Sequence, residues 1–118
     1  MAVTPIQADE HNEVVEYLRV YRPKLLAPRV WEARYRDRAA EVLIAAEVKI
    51  HQLRPMLSIL VRFIAAHDLA RPDTSLDALL TTPGVERFIR NERETGTCKG
   101  TCVQMSWRLK RLVAARQR

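Results

Sequence analysis

Apolar positions recur at helical spacing along most of this chain and nowhere alternate as they would in a half-buried strand. Val14, Leu18 and Tyr21 follow "TPIQADE" in that period and predict a first helix over residues 9–21. "YRPKLLAPR" then interrupts it, because Pro23 and Pro28 lack an amide donor and turn the preceding residue away from helical dihedrals. From Val30 to Leu53 there is neither Gly nor Pro, and Trp31, Tyr35, Ala39, Val42, Leu43, Ala46, Ile50 and Leu53 form one broad apolar stripe. That pattern predicts a single long amphipathic helix. Glu32, Arg34, Arg36, Asp37, Arg38 and Glu41 fall on its mixed-charge outer side, with Glu32 and Arg36 in the favoured i,i+4 order.

Pro55 is expected to end or kink this helix. "MLSILVRFIAAHDLA" follows, with Leu57, Leu60, Phe63 and Ile64 on one face of a core helix. The connector "RPDTSLDALLTTPG" contains a short helical turn around "LDALL". Thr82 is expected to cap the next helix, with Pro83 in its first position and Gly96 as its stop. Val85, Phe88 and Ile89 face inward there, while Glu86, Arg87, Arg90 and Arg93 face water. The last helix is expected from near Thr101 to about Arg116, burying Cys102, Met105, Leu109, Leu112 and Val113. The fold class is all-α: a bundle of four main helices plus one or two short ones. It forms one domain over 1–118, with an acidic N-terminal helix and Pro-containing linker in 1–27 and the bundle in 28–118.

Length agrees with one domain, since 118 residues can bury one real core but not two of ordinary size. No apolar run approaches the roughly 18 residues of a membrane span, and the N-terminus lacks the features of a signal peptide. A soluble cytoplasmic protein without membrane contact is expected. The net charge of +6 is unevenly placed. Residues 1–18 carry Asp9, Glu10, Glu13 and Glu16 and no Lys or Arg. Residues 95–118 carry Lys99, Arg108, Lys110, Arg111, Arg116 and Arg118 and no acid. A basic end of this kind suits a polyanion such as nucleic acid.

The chemistry of enzymes finds little support. Cys98 and Cys102 are separated by three residues, not the two of a redox pair, and His11, His51 and His67 are too distant in sequence to complete a zinc set. Cys102 reads as a small buried hydrophobe. The histidines accompany no recognisable nucleophile motif, and Gly84, Gly96 and Gly100 match no phosphate-binding loop. A non-catalytic protein without cofactor or metal is expected. In the basic end, Thr101 is placed to cap the last helix, whose first-turn amides favour a phosphate, with Lys99 just before it. Gln104 and Arg108 are spaced to project together and can read adenine and guanine edges. Lys110 and Arg111 suit phosphates, and Trp107 is consistent with either core packing or a partner's surface.

"LRPMLSILVRFIAAHDL", "TSLDALLTTPGVERFIRNE" and "ETGTCKGTCVQMSWRLKRLVAA" together resemble the N-terminal core-binding domain of phage-type integrases and other tyrosine recombinases. The likeness covers about residues 48–115, a little over half the chain. It implies a SAM-like helical module, of phage or mobile-element type, that binds double-stranded DNA. By position it implies Lys99, Thr101, Gln104, Arg108 and Arg111 near DNA, and Arg54 as a further candidate. "TPG" replaces the family's small or acidic residue before "v..F", and the turn "TGTCKGT" is longer than usual. Tyr17, Tyr21 and Tyr35 all precede the matching region, and the chain ends where a catalytic domain would follow. The likeness therefore implies a DNA-binding module without strand cleavage, alone or as part of a longer chain. The competing expectation is a helical interaction module, a homodimer or an adaptor for a larger partner, in which Trp31 and Tyr35 exceed what the bundle can bury.

Overall fold

A computed structural model describes residues 5–68 and 74–117, with side chains for 11–67 and 74–117, and every regular element among them is helical. Helix α1 is Pro5–Val20. Helix α2 is one rod over 28–45, assembled from Pro28–Val30, a π turn at Trp31–Tyr35, and Arg36–Ala45. Helix α3 is Ile50–Asp68, α4 the short Leu76–Leu79, α5 Thr82–Glu94 and α6 Lys99–Arg116. The all-α bundle expected from the pattern is what the chain forms. The expected run of the third helix to Ala70 lies outside the described residues, as do the side chains of Asp9, Glu10 and Arg118.

The stripe from Val30 to Leu53 is not one helix. It stops at Ala45, and Glu47 takes a left-handed conformation with φ of 57°. The amide of Val48 donates to the Leu43 carbonyl at 3.2 Å and that of Glu47 to Ile44 at 2.9 Å, the paired bonds of a Schellman stop. Arg111 of α6 completes it, donating from Nη2 to the carbonyls of Ala46 at 2.8 Å and Glu47 at 3.2 Å. A side chain 65 residues away in sequence thus satisfies helix-end carbonyls that would otherwise need water. Pro55 neither ends nor starts a helix. It lies inside α3 on an exposed position, so the His51 carbonyl that loses its amide donor is also at the solvent side.

Later boundaries shift by smaller steps. Thr81, not Thr82, caps α5, its Oγ1 accepting from the Gly84 amide at 3.1 Å. Gly84 must be small, because a Cβ there would stand 2.6 Å from the Leu79 carbonyl oxygen. Gly96 ends α5 as expected, with φ of 101° and Schellman bonds from Gly96 to Arg93 and from Thr97 to Glu92.

The core is one cluster from Val14 and Leu18 of α1 to Ala115 of α6. Trp31 is 1% exposed and Tyr35 0%, so the bundle does bury both rings and the excess expected of them is not there. Trp31 meets the edge of Tyr21 at 5.9 Å between centroids, and Tyr35 donates its hydroxyl to the Thr74 carbonyl at 3.1 Å. Burial of such side chains contributes about 1.5–3 kcal/mol each, against 0–1 kcal/mol for a surface ion pair. The core therefore sets the stability, while ion pairs such as Arg38–Asp77 link α4 to α2 at the surface. No helix among the described residues is long and apolar enough to cross a membrane.

Candidate nucleic-acid interface

Helices α5 and α6 form a hairpin around the turn at 95–98, and that turn is held from the side. Glu92 forms a two-point ion pair with Arg62 of α3 and accepts the Thr97 hydroxyl at 2.7 Å. The start of α6 thereby has a fixed place on the core.

Helix α6 begins at Lys99, earlier than Thr101, and its N-cap is Cys98. The expected cap at Thr101 is corrected accordingly: its hydroxyl lies in the first turn, 3.0 Å from Cys98 Sγ. The Cys98 thiol is solvent-exposed, and its pKa is lowered by the Thr101 hydroxyl first and by the backbone amides of the first turn next. Cys102 is buried and points its Sγ back at the Thr97 carbonyl, 3.8 Å away. Within "CKGTC" one sulfur is thus a helix-start group and the other a core atom.

Helix α6 carries no carboxylate. Lys99, Thr101, Gln104 and Lys110 are exposed and Arg108 is half-buried. Lys99 and Arg108 have no hydrogen-bond or ion-pair partner among the described residues. Lys110 has a loose one, with Nζ 3.8 Å from Glu86 of α5. Gln104 and Arg108, one turn apart, share a side of the helix. Arg111 does not join them as a free cation, because its guanidinium is engaged by the end of α2. Arg54 is exposed and unpaired among the described residues but stands on α3.

Two further cations adjoin this face. Arg90 and Arg93 of α5 are exposed and line, with Glu86, Ile89, Glu94 and Ser106, a shallow groove of about 460 Å³ between α5 and α6. The spacing of "RNERE" shows them pointing to water, but only the hairpin puts them beside α6. Trp107 is also resolved: its ring is 65% exposed, and Val103 one turn earlier is 60% exposed. The histidines stand elsewhere. His11 and His51 are exposed, and His67 shares a hydrogen bond with the Phe63 carbonyl at 2.9 Å and packs its ring against Phe63.

No protein-family model, curated protein or solved structure matches this chain.

Proposed function

We propose that this chain is a non-catalytic DNA-binding module that docks the solvent face of α6, and the turn before it, on double-stranded DNA. The observation that carries this is an 18-residue helix without a single acid, bearing Lys99, Gln104, Arg108 and Lys110 at accessible positions. Lys99 and Lys110 supply phosphate contacts, joined from α5 by Arg90 and Arg93. Gln104 and Arg108 are the base-reading pair. The integrase-like order of segments supports the same function, and a cytoplasmic location goes with it. Arg111 is left out of the interface because it already caps α2.

The test is fluorescence anisotropy with a labelled random duplex, comparing wild type with the Lys99→Glu/Lys110→Glu double variant. The variant should bind at least tenfold more weakly at about 0.1 M salt, on every sequence, as loss of phosphate contacts requires. Equal affinity in the two proteins would remove α6 from the interface. The rival function, a protein-interaction module, loses the support of Trp31 and Tyr35, which are buried, and rests instead on exposed apolar side chains such as Trp107, Val103, Val20 and Leu25.

A further inference from the structure

Trp107 is the one large aromatic that the core leaves in water among the described residues, and it stands at the middle of the face just assigned to DNA. Its helical neighbours define what can lie on it. Val103 and Gln104 are one turn before it, Lys110 and Arg111 one turn after, and Ala114 two turns after. Gly100, two turns before, adds no side chain, and the space where its Cβ would stand is open. A helical side chain leans toward the N-terminus of its helix, so the indole covers the Val103–Gln104 turn. Beyond it the surface falls away to Gly100 and the amides of the first turn.

A scattered exposed apolar residue would need no explanation. Here, however, an indole and a valine form a small apolar platform, with cations around it and no acid on its own helix. Of the carboxylates on neighbouring elements, Glu86 and Glu94 of α5 are set among Arg90, Arg93 and Lys110, and Glu47 stands at the end of α2 beside Arg111. Such a platform fits a ligand that is flat, aromatic and polyanionic along one edge. A nucleobase with its phosphate has those properties, and the amide of Gln104, one turn from Trp107, offers both a donor and an acceptor to a base edge. Inside a continuous duplex the base faces are already stacked on one another and only their edges are presented. The indole face can be used only where a base is unpaired.

We propose that Trp107 is a stacking platform for one unpaired nucleobase, so that the α6 face binds a duplex carrying an unpaired nucleotide more tightly than a continuous duplex. This rests on the DNA-binding function proposed above. It adds a ligand class, locally unpaired DNA, that cations alone do not select.

The experiment measures anisotropy and Trp emission with two labelled oligonucleotides, a continuous duplex and the same duplex with a central one-nucleotide bulge. Wild type is compared with Trp107→Phe and Trp107→Leu. We expect wild type to prefer the bulge about tenfold, within what base–aromatic stacking contributes. The acrylamide-accessible emission, which comes from Trp107 because Trp31 is buried, should be quenched on binding the bulge. Trp107→Phe should keep part of the preference and Trp107→Leu none. Equal wild-type affinity for the two oligonucleotides, or a preference that survives in Trp107→Leu, overturns the platform while leaving duplex binding intact. Binding to neither oligonucleotide overturns both proposals. If self-association in sedimentation is then lost in Trp107→Leu, the face belongs to a second copy of this chain.

Discussion

Cys98 takes the position that Ser, Thr, Asp or Asn most often occupies at the start of a helix, and it does so without a side-chain bond to the backbone. Its thiol instead pairs with the Thr101 hydroxyl, and that group together with the first-turn amides favours the thiolate. We expect one native thiol to react with iodoacetamide and Cys102 to wait for unfolding. The rate should rise with pH about a midpoint below that of an unperturbed cysteine, and Thr101→Val should move that midpoint up. A midpoint at or above the free-thiol value would contradict the pairing. The sequence shows Cys102 in a buried stripe but not Cys98 as a cap, because a cysteine is not a usual cap and Thr101 is. Trp107 was equally open from its type: at 65% exposure only packing decides it.

At the scale of elements, the end of α2 shows where pattern and geometry part. Ala46, Ile50 and Leu53 continue the apolar stripe, and no Gly or Pro marks a break. Yet Glu47 adopts the left-handed conformation usually given to Gly, which costs a non-Gly residue about 1–2 kcal/mol. Burial of Val48 and the two hydrogen bonds from Arg111 offset that cost, and both depend on tertiary contacts. Arg111 carries the same charge as Lys110 and could not be told from it by composition; its reach to α2 separates them. Arg111→Ala should therefore lower stability by about 1–3 kcal/mol in urea unfolding, the cost of leaving the partly buried Ala46 carbonyl without its donor. A variant as stable as wild type would mean the cap contributes nothing. By contrast, the stop at Gly96 was legible from the sequence alone, because there the left-handed residue is a glycine.

At the scale of the whole molecule, the two charged ends of the chain have different fates. Helix α1 sends Val14 and Leu18 into the shared core and keeps Glu13 and Glu16 in water. Helix α6 buries Cys102, Met105, Leu109, Leu112 and Val113 and leaves its acid-free side open. The fold class and most inward positions of the long helices could be read from apolar spacing, since burial of that spacing is what drives the fold, although Ile50, counted in the stripe, is 45% exposed at the start of α3. The neighbourhood of α6 could not. Arg90 and Arg93 join it through the hairpin, Arg111 leaves it for α2, and Arg54 stands on another helix. The proposed interface is thus a product of packing, laid on a helix whose charge was visible from the start.

The most direct measurement is the salt dependence of duplex binding by the wild-type chain. Four cations on the α5–α6 hairpin, Lys99 and Lys110 of α6 with Arg90 and Arg93 of α5, predict that log K falls linearly with log salt with a slope of about −3 to −4, from close to −0.9 per phosphate neutralised. A duplex affinity that does not change with salt, or no binding at the lowest salt, would contradict a DNA interface on α6.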